Sequence, residues 1–485
     1  FIARGKLKKI PIAGGPAHEL ADASGTGING AWGADGDIVF SSGALAGASL
    51  YRVHEAGGAV TELLKPDAGQ QHTAYRSPMF VPGSRHFLFL AWSADPARRG
   101  IFAGSLDGGA PVMVVQAESQ PILAPGFLLY HRNGAVFAQT FDERRLRVSG
   151  EPTLVAEDVR FNNLNGRAAF SASRTGVLAM LTGQSLETDR ALAWMDRAGR
   201  PLGTVGEPAA YNQIRLSPDA KRVVVAVPDP RTSLMTLSVM DLATRISTPM
   251  PLESGGNDPL WSPDSTTVMF EAIRQAKRDF FTQVVGSRGA TLIFESPDDP
   301  KWLDDWSHDG RYVLFHRPQP ARLFVIEMSP ASGPRVPRLL VEHAGVIDSV
   351  HFSPDDKWVA YVSDESGEAE VWVAAFPAFD QRRRVSVRGG GQPWWRADGR
   401  ELFYLAPDGR MMSALVSPAG AAGSIELQTP RVLFQSPIDV PVPTLDQYAV
   451  TRDGQRFLFI QPGVSRQAAP PRLRVVVNWT SGIAQ

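Results

Sequence analysis

The chain has 485 residues, and 49 lysines and arginines face 50 aspartates and glutamates for a formal net charge of −1, so no global field of either sign draws it to nucleic acid or to an anionic membrane. Cysteine is absent, which rules out disulfides, thiolate metal sites and cysteine nucleophiles but leaves the compartment open. No run approaches the ~18 to 20 apolar residues of a membrane helix; the best, such as Val223 to Val227 and Val475 to Val477, are strand-sized.

In chain order, the sequence opens at Phe1 with no initiator methionine and no basic and apolar leader, which reads as a trimmed chain. Gly25-Thr26-Gly27-Ile28-Asn29-Gly30 fits the G-x-G-x-x-G expression, yet it leads into a further strand and turn rather than a helix, so nucleotide binding is not expected. Short β runs then recur, each entered through a tight turn: Trp32-Gly33-Ala34-Asp35-Gly36, Phe80-Val81-Pro82-Gly83-Ser84, Pro125-Gly126 and Ser173-Arg174-Thr175-Gly176. The segment Leu178 to Arg190 reads as a seam, after which the pattern sharpens.

From Leu216 onward each unit shows a large apolar residue, a Ser-Pro-Asp-like turn and a β run. The turn aspartates Asp219, Asp264, Asp309, Asp355, Asp398 and Asp453 follow one another at intervals of 45, 45, 46, 43 and 55. In Leu260-Trp261-Ser262-Pro263-Asp264, the clearest copy, Pro263 presets φ for a type I turn and the Asp264 carboxylate can accept from N–H groups that the turn leaves free. Four short strands per ~45 residues without helical periodicity are the signature of propeller blades.

The expected fold is therefore all-β, a β-propeller of four-stranded blades, about ten of them. Two tandem propellers, 1–186 and 187–485, are preferred over one large single ring. Ala191 to Gly206 reads as the outer half of a blade whose inner half comes from Tyr448 to Ile460, with Arg474 to Asn478 helping to close a six-unit ring. The amino-terminal region is short of a blade's worth of strands.

The repeated aromatic-Ser-Pro-Asp-Gly pattern resembles the TolB-type (WD-like) propeller repeat. More narrowly, Gly5 to Gly15, Gly199 to Gly206, Gln392 to Tyr404 and Val475 to Trp479 look like the propeller region of certain bacterial membrane-anchored serine/threonine kinases. That resemblance implies a non-catalytic, extracytoplasmic or periplasmic module for sensing or interaction, with a protein or small-molecule ligand as partner. The alternatives are an accessory propeller gating a missing peptidase domain and a free TolB-like periplasmic scaffold.

No H-R-D or D-F-G, no G-x-S-x-G and no H-E-x-x-H occurs, so neither kinase, serine hydrolase nor zincin chemistry is expected. Asp298, Asp299, Asp304, Asp305 and Asp309 form the densest carboxylate cluster, and Asp304 and Asp305 are its metal candidates, against an expectation of no metal and no cofactor. Arg382, Arg383, Arg384 and Arg388 read as a solvated loop. Trp261, Trp306 and Trp395 occupy equivalent positions, which points to packing between blades. If the strand entering each turn is innermost, its first residues ring one mouth of a central channel. Six residues before each turn aspartate stand Gln213, Asp258, Leu303, Ser349, Gln392 and Gln447, with Asn212, Asn257, Asp348 and Asp446 beside them. This ring is the candidate ligand site.

Overall fold

The computed structural model describes residues 1–3, 6–23, 29–42, 47–93, 95–162, 165–182, 190–229, 234–252, 254–274, 277–295, 301–318, 320–329, 334–343, 345–418, 424–438, 441–463 and 472–482. They form antiparallel strands almost throughout, and among them the only helical pieces are two short 3-10 turns at Ala68–Gln70 and Trp479–Gly482. The chain divides into two compact units, one built mainly from Phe1–Ser185 and Arg466–Gln485, the other from Leu186–Pro228 and Leu234–Ser465.

Each turn motif closes the first hairpin of a sheet, because its hydroxyl and carboxylate satisfy the backbone donors that a tight turn exposes. In the larger unit Ser217, Ser262, Ser307, Ser353 and Thr451 donate through their hydroxyls to Asp219, Asp264, Asp309, Asp355 and Asp453 at 2.6–2.7 Å. The same hydroxyls accept from the residue five positions on, as Ser262 does from the Thr267 N–H at 2.9 Å. In the one copy lacking the hydroxyl, Arg396 grips both oxygens of Asp398 at 2.7 Å and reaches Glu401 at 2.9 Å. The repeated Ser/Thr and Asp are thus turn chemistry.

The larger unit holds six blades, here numbered in chain order: 213–249, 257–294, 302–343, 347–384, 391–435, and a composite sixth. In the sixth, Tyr448–Val450 and Arg456–Pro462 continue into Arg190–Asp196 and Pro201–Ala209, with Arg190 opposite Pro462 and Asp196 opposite Arg456. Burial falls from the axis outward: Trp358–Ser363, the second strand of its blade, is buried throughout, whereas the fourth, Asp380–Arg384, is exposed throughout. A strand sandwiched between neighbouring sheets needs apolar residues on both faces, which explains runs such as Val223-Val224-Val225-Ala226 in place of strict alternation.

Six hydrophobic clusters join the blades pairwise, including one in which Leu192, Leu458 and Ile460 of the sixth meet Ile214, Val223 and Val225 of the first. Six interfaces for six blades close the ring, so a single large ring of all the repeats does not form. The closing strand is Arg190–Asp196. The late strand Arg472–Val477 does not help close this ring, contrary to the sequence expectation: it pairs with Val177–Thr182, Val477 opposite Val177, in the other unit. The six-bladed ring already has its outer strands on that blade, whereas Val177–Thr182 offers an open edge.

In the other unit, sheets at 2–22, 30–64, 72–116, 122–157 and 170–182 with 472–477 are linked in that order by four clusters. Together with the six blades these make eleven blade-like sheets among the described residues. The G-x-G-x-x-G stretch, the seam residues 183–189 and the pair Asp298 and Asp299 lie wholly or mostly outside the described residues.

Candidate functional site

The innermost strands of the larger unit converge on a channel, and each strand presents one end to either mouth. At the entry end a β-bulge recurs, between Asn257 and Leu260, Leu303 and Asp305, Asp348 and His351, and Gly391 and Trp394. Three of the bulged residues take left-handed backbone, Asp258 at φ 45°, Ser349 at 48° and Gln392 at 55°. A bulge re-aims the residues beside it, so the blades present side chains along the channel that regular alternation would have turned away.

The sequence-selected residues gather at this entry end, where they bind one another. The Gln213 carboxamide accepts from the Asp258 N–H at 3.2 Å and donates to the Asp258 carboxylate. Gln392 repeats the device, accepting from the Gln447 N–H at 2.8 Å and donating to the Gln447 side chain at 2.9 Å and the Val442 carbonyl at 2.8 Å. Gln392 is fully buried, and Tyr448 caps its carbonyl at 2.9 Å. Ser349 donates to the Pro443 carbonyl at 3.4 Å, and Leu303 packs in the core between the second and third blades. Asn212 and Asn257 stand half-buried beside them. Asp348 caps the Ser349 N–H at 2.7 Å, and Asp446 turns inward to Arg215 at 3.1 Å.

The carboxylate cluster read along the sequence comes apart in space. Asp309 is the turn residue of its blade, and Asp305 reaches the fourth blade, accepting from the Phe352 N–H at 2.9 Å. Asp304 points elsewhere: both its oxygens stand 2.9 Å from Nδ1 of His316, whose Nε2 faces Asp348 at 3.5 Å. Trp302 stacks on the His316 ring with centroids 5.5 Å apart. Asp304, His316 and Asp348 form a grouping with metal-ligand spacing, each offering an atom within 4.8 Å of the others. Burial works against the His316 charge, but Asp304 and Asp348 outweigh it and hold its pKa well above the usual histidine range. Burial pushes the Asp304 carboxyl up, offset in part by His316, and pushes Asp258 up to about 6.

At the turn end the channel widens into a cavity of about 300 Å³. Its wall repeats with the blades. Four residues before the turn aspartates stand Arg215, Leu260, Asp305, His351, Trp394 and Ala449; one residue before them stand Pro218, Pro263, His308, Pro354, Ala397 and Arg452. Trp261 and Trp395 also border it while donating to the Arg215 and His351 carbonyls of the preceding blades at 3.0 and 3.3 Å, which is the interblade packing expected of them.

Between the two ends lies a charge network. Arg215 donates to the Asp304 carbonyl at 2.7 Å, meets Asp446 at 3.1 Å and His351 Nδ1 at 3.2 Å, and lies over Trp394 at 4.7 Å. His351 stacks on the same Trp394 ring at 4.3 Å and faces Asp446 at 3.7 Å and Asp305 at 3.8 Å. Burial opposes the Asp446 charge, but Arg215 and His351 outweigh it and leave the carboxyl below its ordinary pKa. Partial desolvation opposes the charge of His308, whose side chain stays 47% exposed, but Asp356, bonded at 3.0 Å, and Asp305 outweigh it and raise the pKa. The wall carries Arg215, Arg452, His308 and His351 with four tryptophans and one carboxylate, Asp305, while Asp446 and Asp356 pair with Arg215 and His308 from behind it. The sequence reading missed Arg215, His308, His351, Trp394 and Arg452 because it followed one column of the repeat; the columns two and five residues further on carried the signal.

Compared with solved structures, the chain is similar to the putative TolB from Agrobacterium tumefaciens, at 17% identity over 56% of this chain and 98% of that one, TM-score 0.44. TolB from Acinetobacter baumannii follows at 14% identity, 71% of this chain and 81% of that one, TM-score 0.35. The tricorn protease is 11% identical over 86% of this chain and 45% of its own, TM-score 0.35. No protein-family model and no curated protein matches the chain. At these identities the likeness concerns the fold alone, which the strand order above already establishes, and it assigns no ligand. Among the described residues, no helix is long and apolar enough to cross a membrane.

Proposed function

We propose that the chain is a binding propeller without catalytic activity of its own, and that the turn-end cavity of its larger unit receives a small ligand or a peptide terminus bearing a carboxylate. The observation that carries this reading is the cavity wall, to which equivalent positions of all six blades contribute and which Arg215, Arg452, His308 and His351 line beside one carboxylate, Asp305. The turn hydroxyls of Ser217, Ser262, Ser307, Ser353 and Thr451 are used structurally, each bonded to its turn aspartate and to the N–H five residues on. The likeness of the repeat to the propellers of membrane-anchored serine/threonine kinases favours an extracytoplasmic sensor as its setting.

A thermal-shift screen of small carboxylates, and of peptides with free or amidated C-termini, tests the binding reading. Hits should require the carboxylate and weaken at least about tenfold in Arg452→Ala and Trp394→Ala, one at the rim and one in the wall. Hits indifferent to both substitutions would sink it. The sequence encoded ahead of Phe1 decides the kinase setting: H-R-D and D-F-G motifs followed by an apolar span support it, and a cleavable leader directly before the blades does not.

A further inference from the structure

We propose that the entry end of the channel in the larger unit binds a divalent first-row cation of the manganese or zinc kind through His316 and Asp348, with Asp304 fixing the imidazole and Asp258 supplying further carboxylate oxygen. The donors come from three blades: Asp258 from the second, Asp304 and His316 from the third, and Asp348 from the fourth. No stretch of sequence contains the set.

Three observations support it. First, Asp304, His316 and Asp348 lie within metal-ligand reach of one another, and His316 Nε2 and an Asp348 carboxylate oxygen stand 3.5 Å apart, a separation that one ion with bonds of ~2.0 to 2.2 Å can bridge. Second, Asp304 holds Nδ1 of His316 with both oxygens at 2.9 Å while Nε2 faces Asp348 at 3.5 Å. That is the carboxylate–histidine arrangement in which one ring nitrogen is fixed as a donor and the other is presented to a metal, and the Trp302 ring stacked at 5.5 Å holds the imidazole plane. Third, carboxylates crowd this point: Asp304 and Asp348 flank the one imidazole, and Asp258 lies close enough to feel both Asp348 and His316, with Arg278 as a cation shared between Asp258 and Glu271. One oxygen of Asp258 accepts from Gln213, whereas Oδ2 is buried and has no hydrogen-bond partner among the described residues. A buried carboxylate oxygen in such a site needs a cation or a proton. A nitrogen donor among carboxylates favours manganese or zinc over calcium or magnesium, which take oxygen throughout.

The test is calorimetric titration of the chelator-treated full chain with manganese, zinc and calcium chlorides. One equivalent of manganese or zinc should bind, at least about tenfold more weakly in Asp348→Asn and in His316→Gln, while Asp380→Asn, an exposed carboxylate on the outermost strand of the fourth blade, binds as the parent does. Cobalt(II) in place of the ion should give visible d–d absorption on the unaltered protein, which keeps the test independent of whether His316→Gln folds. Asp348, the most exposed of the three donors, provides the gentler variant. No saturable manganese or zinc uptake below about 1 mM, or uptake that Asp348→Asn leaves unchanged, overturns the proposal.

Discussion

Replacing Arg215 by methionine isolates the charge network that spans the channel. The substitution keeps most of the side-chain stem but removes the guanidinium that meets Asp446 at 3.1 Å, donates to the Asp304 carbonyl at 2.7 Å and covers Trp394. Asp446, with a side chain 14% exposed, then keeps only His351 at 3.7 Å. Removing one partner of a buried pair costs ~3 to 5 kcal/mol, and the residual contact places this case near about 3. Asp446→Asn alone leaves Arg215 its carbonyl and its tryptophan and should cost about 2 kcal/mol. The double variant, with no uncompensated charge, should lose about 3 rather than 5, a coupling of about 2 kcal/mol. Calorimetric melting resolves this, since each kcal/mol moves the transition of a domain this size by about 2 to 4 °C. The pH arm has a definite sign. Asp446 is depressed in the fold, so its contribution is present above the ordinary carboxylate pKa and is lost as pH falls through the lowered value. Asp446→Asn should therefore flatten the acid limb of the stability curve, and Arg215→Met should move that limb to higher pH. Losses that add to within about 0.5 kcal/mol would refute the idea that the two groups act as a pair.

Three further outcomes follow from single contacts. Ser262→Ala removes the donor to Asp264 at 2.6 Å and the acceptor for the Thr267 N–H at 2.9 Å, and should cost about 1 to 2 kcal/mol in chemical unfolding, whereas Thr451→Ser, which keeps the hydroxyl, should stay within about 0.5. Gln392→Leu leaves the Gln447 N–H and the Val442 carbonyl without their side-chain partner and should destabilise by about 2 to 3 kcal/mol, read as earlier melting; a neutral result would free Gln392 from the strapping role given to it here. Gly391→Ala would place a Cβ 2.8 Å from the Pro443 carbonyl oxygen and closer still to its Cα, so hydrogen exchange across 441–447 should rise while the turn at Asp398 keeps its protection.

The sequence by itself determined everything whose cause is local. A Ser, Pro and Asp in succession make a tight turn wherever they stand, the apolar runs behind them make strands, and the spacing of the turns sets the order of the blades. Even the composite sixth blade was legible, because an outer pair without an inner one at 191–206 and an inner pair without an outer one at 448–460 complete each other. The late strand at 472–477 was misplaced because an apolar strand carries no label for its partner edge, and Val177–Thr182 was the edge left open. The site depended on tertiary structure throughout. Which column of a repeat faces the axis is set by bulges at Asp258, Ser349 and Gln392, and a one-residue shift in register turns a side chain to the other face. The five aspartates from 298 to 309 were neighbours in sequence, but the groups the fold brings together, Asp304, His316 and Asp348, are gathered from two blades. Arg215 meets Asp446 only because the ring closes and sets its last innermost strand beside its first. Turns are decided by residues that are covalently adjacent, and the channel by residues whose distances are fixed only when six wedges pack into a circle.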